Sequence, residues 1–190
     1  LCLKSLKKNS KFNHEIIIFV NDGSDGTLKF VKDNKLNYIH NENNVGLCKA
    51  MNEGVKVSSK DYIVYAHDDM YFCPDWDVEF YNEIIKTKEK DFFLSGVMIQ
   101  PFKSFIYLDC GDKIDNFDEK KLLQNFKSIK FNDFQGSSWA PSLIPKATWN
   151  KVNGFSEEYG PGLGSDPDFN FKLWNIGVRL FKGIGKCRVY

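Results

Sequence analysis

Two adjacent carboxylates at the end of an apolar run are the first residues in this chain that could do chemistry. In the stretch 61–77, DYIVYAHDDMYFCPDWD, Tyr62 to Ala66 is short, apolar and rich in β-branched and aromatic residues, which predicts a buried strand. It stops at His67-Asp68-Asp69, and Pro74 then predicts the opening of a helix that runs to about Lys86. Carboxylates at the exit of a buried strand are costly unless something positive sits against them. In open α/β sheets that exit is where ligands bind. A divalent cation carrying a phosphate is an economical partner, because hard oxygen ligands suit Mg²⁺ or Mn²⁺. An acidic turn facing water is the alternative.

Two further constellations carry chemical potential. Asp22-Gly23-Ser24-Asp25-Gly26-Thr27 follows the apolar run Glu15 to Val20 and precedes a helix through about Asp33. Its glycines let the backbone approach a ligand, and the first amides of the helix can face anionic or polar groups. The spacing is neither a Walker A loop nor GxGxxG. It fails as an EF-hand too, since Gly23 falls at the third ligand position and no Glu closes the loop. A plain βα turn with Asp25 or Ser24 capping the helix fits equally. In Asp166-Pro167-Asp168, Pro167 suits a first helical position and makes Asp166 the N-cap. A carboxylate there is also a candidate general base for a hydroxyl nucleophile, and Tyr159 to Ser165 reads as a glycine-rich lid over it. His14, His40 and His67 lie far apart with no HxH or HxxxH spacing, which argues against a histidine-built zinc site. His67 adjoins the carboxylates and is placed to tune or hydrogen-bond them, and a satisfied structural histidine is the alternative.

The elements that would hold these groups alternate. Strands are predicted at 15–20, 36–40, 62–66 and 92–99, and the residues around Leu1 to Leu6 read as the later part of an amphipathic helix. Leu47, Ala50, Met51, Gly54 and Val55 recur as one helix face. Trp76, Phe80 and Ile84 do the same in the next helix. The alternation predicts an α/β fold with βαβ units, a mostly parallel central sheet flanked by helices. The pattern breaks down over 100–135, which reads as an irregular insertion over the ligand edge of the sheet. Beyond it, 138–144 predicts a strand, 145–152 a short helix, and 153–164 a glycine-rich loop. Phe169, Leu173 and Ile176 mark a last helix closed by Gly177, and Val178 to Phe181 an extended run.

Composition narrows the classes. A chain of 190 residues with 42% hydrophobic and 15% aromatic content is a single folded domain. The formal net charge is +1, from 26 basic and 25 acidic residues without a basic block, so nothing points to nucleic acid or an anionic membrane surface. The five cysteines are scattered and never in a CxxC pair, which favours a reducing, cytoplasmic setting over a disulfide framework. The longest apolar run, Ile16 to Val20, is far short of a membrane span, and no signal peptide is visible.

Five segments in order carry a resemblance: VNDGSDGT (20–27), NNVGLCKAMNEGV (43–55), DYIVYAHDDM (61–70), VNGFSEEY (152–159) and GSDPDFNFKLWNIGVRL (164–180). Together they resemble the family 2 glycosyltransferases, enzymes of the GT-A (Rossmann-like) fold. The resemblance implies metal-dependent, inverting transfer of a sugar from a nucleotide-sugar donor, by a hexosyltransferase-type enzyme of polysaccharide or glycoconjugate biosynthesis. It covers 1–190 as one catalytic domain, with 1–99 as the nucleotide-binding half and 100–190 as the acceptor side. Carried over residue by residue, Asp22 contacts the base or ribose, with Ser24 beside it. Gly46 and Asn52 shape the donor-side helix, and Asp68 lies near the ribose or metal. Asp69 matches the metal ligand of the family's DxD motif, which holds Mn²⁺ or Mg²⁺, and Asp166 matches the catalytic base. The acceptor is a glycan, a lipid-linked molecule or a protein. No nucleic acid and no membrane span in this chain are expected, and the place is cytoplasmic, or peripheral at the cytoplasmic face of a membrane.

Departures from the family pattern are specific. His67 stands in place of the first Asp of DxD, and Ser165 in place of the usual Glu before the base. Met51 sits where many relatives carry a basic residue, which leaves phosphate contact to Lys49 or to residues absent from this chain. The family's opening strand would precede Leu1, and a metal-binding His is expected directly after Tyr190. Phe102, Phe105, Tyr107 and Trp139 could stack on a sugar ring. Two other classes share these features: a sugar nucleotidyltransferase of similar architecture, and a non-catalytic nucleotide-sugar or glycan-binding module.

Overall fold

Strand and helix alternate in the computed structural model much as the apolar pattern predicts, and it describes residues 1–104, 106–136 and 140–190. The order is α1 (Cys2–Asn9), β1 (Ile18–Asn21), α2 (Thr27–Asp33), β2 (Tyr38–Asn41), α3 (Gly46–Val57), β3 (Tyr62–Tyr65), α4 (Trp76–Lys86) and β4 (Phe92–Met98). Then follow α5 (Glu119–Asn125), β5 (Phe134–Gln135), β6 (Ser142–Pro145), α6 (Lys146–Lys151), α7 (Ser165–Asn175) and β7 (Leu180–Val189). The chain packs as two compact units of interleaved segments. One holds Leu1–Asn13, Val64–Leu143 and Leu180–Tyr190, and the other His14–Ile63 and Ile144–Arg179. This division does not follow a cut at 99/100.

In the unit of His14–Ile63 and Ile144–Arg179, β1 and β2 pair in parallel from Ile18↔Tyr38 to Asn21↔Asn41. Of the first apolar run only Val20 is fully buried, and Ile16 to Phe19 are half-buried. Trp149, Phe155 and Phe169 form the aromatic heart, with ring centroids 4.8–5.2 Å apart. On α3 the buried stripe is Cys48, Asn52 and Val55, while Leu47, Ala50, Met51 and Gly54 are half-buried beside it. Periodicity places the stripe slightly off because it counts Asn52 as a surface residue.

The other unit contains most of a mixed five-stranded sheet in the order β3-β6-β4-β7-β5. Parallel pairing of β4 with β7 is its centre, with β6 antiparallel to β4 and β5 antiparallel to β7. Residues 92–97 of β4 are all buried. Strand β7 runs far past Phe181, where the sequence pattern loses it, because Gly183, Gly185 and two lysines interrupt the apolar run. The glycines are there for space: a Cβ on Gly183 would strike the Phe134 ring, and one on Gly185 the Phe131 carbonyl. The segment containing β5 crosses β7 at this point.

The stretch 100–135 is not irregular throughout. It folds into α5, β5 and single 3₁₀ turns at Ile114–Asn116 and Phe126–Ser128, and buries Ile106, Cys110, Leu122 and Phe126 against Tyr71, Cys73, Val97 and Ile99. Its apolar residues come in short i, i+4 pairs within charged surroundings, too brief to register as a period. Buried Arg188 anchors it: Nε donates to Gly185 O at 2.9 Å, Nη2 to Ile129 O at 2.6 Å, and Nη1 to Phe126 O. The guanidinium thus caps carbonyls at the end of α5 and its 3₁₀ extension. Tyr190 adds a second anchor, its hydroxyl accepting from Cys110 N at 2.8 Å and donating to Gly111 O at 2.5 Å.

All five cysteines are free thiols. Burial pushes Cys73 up to about 12, and Cys187 well above the ordinary thiol value. Among the described residues no helix is long and apolar enough to cross a membrane.

Two glycines should respond oppositely to a methyl group. Gly54 lies within α3 with nothing near its absent Cβ, so Gly54→Ala should stabilise by about 0.5–1 kcal/mol through helix propensity. Gly185→Ala drives a Cβ into a backbone carbonyl and should cost at least ~1–3 kcal/mol. Urea denaturation of both variants checks the contrast.

Candidate active site

The carboxylate turn hangs from a tightly held segment. Strand β3 ends at Tyr65, whose hydroxyl lies 2.5 Å from His67 Nε2, with the two rings 5.0 Å apart. Tyr and His two apart on extended chain share a face, a spacing visible in the sequence. Met70 N donates to His67 O at 3.4 Å and closes a turn over Asp68 and Asp69, both exposed. The next residues, Met70, Tyr71, Phe72 and Cys73, are at most 2% exposed. Their backbone is paired on two sides. Tyr71 and Tyr190 exchange hydrogen bonds at 2.7 and 2.9 Å. From α1, Asn9 Nδ2 donates to Phe72 O at 2.7 Å, and Ser5 Oγ accepts Phe72 N–H at 2.9 Å.

Side chains around the turn report its charge. The Cys2 thiol, which donates to His67 O at 3.6 Å, is pushed up to about 11, first by burial and then by the Asp68 charge. Glu119 accepts the Tyr71 hydroxyl at 2.7 Å and the Lys8 ammonium at 2.9 Å, and both hold its carboxyl below the usual range. The turn therefore offers two hard oxygen donors on a rigid base. Among the described residues, no group of three or more His, Cys, Asp or Glu is arranged to hold a metal ion. Carboxylate oxygens are the hard donors that suit Mg²⁺ or Mn²⁺.

In the other unit, Asp22 lies just past β1 with φ 69°, and Gly23 follows with φ 77°. A Cβ at Gly23 would come within 2.7 Å of Val20 Cγ1, which explains the glycine. The Asp22 backbone is fixed by Asn41 O, which accepts its N–H at 2.9 Å, and by His40 Nε2, 2.9 Å from its carbonyl. Ser24 Oγ donates to Asp22 Oδ2 at 2.9 Å, orienting an exposed carboxylate. The N-cap of α2 is Gly26 in the left-handed region, and Asp25 serves the helix from one residue further out, accepting Thr27 N–H at 2.9 Å. That bond holds the Asp25 carboxyl below its usual range. A shallow hollow of about 400 Å³ lies between Gly23, Ser24 and Gly26 and Leu28, Lys29, Lys32 and Asp33 of α2; Asp22 does not line it.

Helices α3 and α7 of this unit meet through the glycine-rich loop between α6 and α7. Asn21 Oδ1 accepts Val45 N–H at 2.7 Å, tying the end of β1 to the start of α3. Gly46 has φ 78°, Leu47 N donates to Pro161 O at 3.3 Å, and Cys48 Sγ to Tyr159 O at 3.6 Å. Lys49 is exposed and Asn52 is buried. Helix α7 begins at Ser165 with Gly164 as its N-cap, so Asp166 is the second helical residue and not the cap. Pro167 then sits third, where its missing N–H is still one of the helix's unpaired donors and costs nothing. Asp166 is half-buried, and its charge helps raise the Cys48 thiol, after burial as the larger cause. Asp168 accepts the Ser156 hydroxyl at 2.7 Å. Both carboxylates lie in the first turn of α7, where the helix dipole favours negative charge.

Of the residues singled out from sequence, Asp22, Ser24, Gly46, Lys49, Asn52 and Asp166 belong to one unit, and Asp68 and Asp69 to the other. Phe102 and Tyr107 are exposed, at 59% and 58%, and Phe105 and Trp139 lie outside the described residues, as does the first part of the strand expected at 138–144.

The family model described as Glycosyl transferase family 2 matches residues 1–140. Among solved structures the chain is similar to GalNAc-T7, crystallised with UDP, GalNAc and Mn²⁺, with a TM-score of 0.65 and 14% identity. That similarity covers 99% of this chain and 40% of GalNAc-T7. It is also similar to residues 1–349 of S. aureus TarS, alone and in complex with UDP, with a TM-score of 0.68 and 15% and 16% identity. These cover 100% of this chain and 54% of the TarS chain. At such identities the likeness concerns the fold, which is the GT-A α/β architecture. No curated protein matches the chain significantly.

The left-handed backbone at Asp22 separates its charge from its conformation. Asparagine tolerates that region and alanine does not. Asp22→Asn should therefore melt close to the wild type, while Asp22→Ala should lose about 1 kcal/mol. Thermal unfolding of the two variants measures the difference.

Proposed function

The chain belongs to glycosyl transferase family 2, and from that premise we propose that it moves a sugar from a nucleoside-diphosphate sugar to an acceptor hydroxyl, with inversion at the anomeric carbon. The observation that carries this reading is the exposed Asp68-Asp69 turn at the exit of β3, seated on a segment whose backbone is hydrogen-bonded on both sides. UDP is the first nucleotide to test, because the similar GalNAc-T7 and TarS structures were crystallised with it.

Each residue has a role set by its chemistry. Asp69 ligates the cation, and Asp68 supports it or the ribose. A bound Mn²⁺ or Mg²⁺ supplies Lewis-acid neutralisation of the leaving diphosphate. Asp22, oriented by Ser24, accepts a hydrogen bond from the nucleoside. Gly46 brings the start of α3 close to the donor, and Lys49, exposed on the same helix, contributes positive charge to the phosphates. Asp166 removes the proton from the acceptor hydroxyl as its oxygen attacks the anomeric carbon. The bond to the diphosphate oxygen breaks on the opposite face, and the electron pair leaves with the nucleotide. Loss of a general base typically costs about 10²–10⁴-fold in rate.

A panel of nucleotide sugars with Mn²⁺, on the complete protein, tests the reading. Asp166→Asn should lower kcat by about 10²–10⁴-fold while UDP still binds in calorimetry, and Asp69→Asn should weaken UDP binding only when Mn²⁺ is present. A wild type that turns over no donor, yet binds UDP or a glycan, would instead be a binding module.

A further inference from the structure

Asn52 is a poor residue for the middle of a helix unless its side chain has partners, and it faces the interior of its unit at 8% exposure. Its amide is fully engaged. Nδ2 donates to Phe155 O at 2.9 Å and to Glu157 Oε1 at 3.0 Å, and Oδ1 accepts Phe155 N–H at 2.9 Å. The side chain thus holds both backbone groups of one loop residue, as a neighbouring strand would. Gly154, with φ 62°, leaves the room this needs, since a Cβ there would overlap Asn52 Oδ1 and come within 2.6 Å of Trp149 Nε1.

The same loop segment is tied on its other side to α7. Ser156 Oγ donates to Asp168 at 2.7 Å, and Lys172 Nζ donates to Gly154 O at 2.6 Å and lies 3.3 Å from Ser156 Oγ. Residues 154–157 are therefore a spacer gripped by α3 through Asn52 and by α7 through Asp168 in its first turn and Lys172 in its last. Asp166 stands two residues before Asp168 in that first turn.

We infer that Asn52 is a positioning residue, which sets the place of the Asp166 carboxylate by holding Phe155 and Glu157 against α3. It touches neither donor nor acceptor in this role, and the amide that the family pattern puts on the donor side acts instead through the loop. The inference rests on the transferase reading, with Asp166 as base. A base displaced by even an ångström loses rate while ground-state binding survives.

The test compares Asn52→Ala with Val55→Ala, a cavity on the same buried stripe of α3. Asn52→Ala should lower kcat by about tenfold to a hundredfold, leave UDP affinity in Mn²⁺ unchanged, and speed hydrogen exchange at the Phe155 amide. Val55→Ala should lower the melting temperature and leave kcat alone. Asn52→Asp alone sets a carboxylate against both Glu157 and the Phe155 carbonyl, which loses its donor, and should be slow. Pairing it with Glu157→Gln returns a donor–acceptor couple and should recover part of kcat, a rescue that general loosening of the core would not give. If Asn52→Ala loses stability and keeps its kcat, the inference is overturned while the transferase reading stands. A wild type without turnover on any nucleotide sugar removes the reading, and the inference with it.

Discussion

Where loops of this chain cross its interior, backbone donors and acceptors have no ladder to join, and an unpaired buried group costs about 1–3 kcal/mol. Side chains take the place of the missing ladder. Ser5 and Asn9 pair the two backbone groups of Phe72. Arg188 collects carbonyls from Gly185, Phe126 and Ile129. Asn52 pairs both groups of Phe155. These buried polar residues, more than the apolar core, decide where the loops lie, because a hydrogen bond has direction and a methyl contact has little.

The consequence for chemistry is a division between rigid support and exposed function. Asp68 and Asp69 are exposed while the residues directly after them are among the most buried in the chain. A carboxylate on such a base keeps its solvation, so its charge costs little, yet its backbone has almost no freedom to lose when a ligand binds. Asp22 follows the same logic. Its left-handed backbone is fixed by Asn41 and His40, its carboxylate is aimed by Ser24, and the group itself remains in water.

How much of this could be read from residue order depends on the range of the signal. The strand-to-turn transitions at Asp22 and Asp68 were legible, because an apolar run stopping at glycines or carboxylates is a local pattern. The βαβ alternation of the first half was legible for the same reason. Strand β7 was not, since Gly183 and Gly185 answer to Phe134 and Phe131, residues about fifty positions away in sequence. The regular elements within 100–135 were missed because that segment's apolar residues have partners from three other stretches of chain. Helix α7 starts two residues before the place its proline predicts, because proline suits any of the first positions of a helix and here holds the third. Asn52 was assigned to a motif and its environment could not be inferred, because Phe155 and Glu157 lie more than a hundred residues on.

The donor set at Asp68-Asp69 also bears on how a cation and a nucleotide would arrive. On the proposed reading, an ion held by two carboxylates would take its remaining ligands from water and from the diphosphate oxygens. Cation and nucleotide should then bind with positive coupling, each raising the affinity for the other by the same factor, as linkage requires. On the proposed reading this is useful chemistry. A cation held by Asp69 and Asp68 would supply neutralisation of the charge that grows on the leaving group. The neighbouring imidazole of His67, kept beside the Tyr65 hydroxyl at 2.5 Å, adds no negative charge where the family motif carries a further carboxylate. Asp68 at the motif's middle position keeps the number of carboxylates on the turn at two.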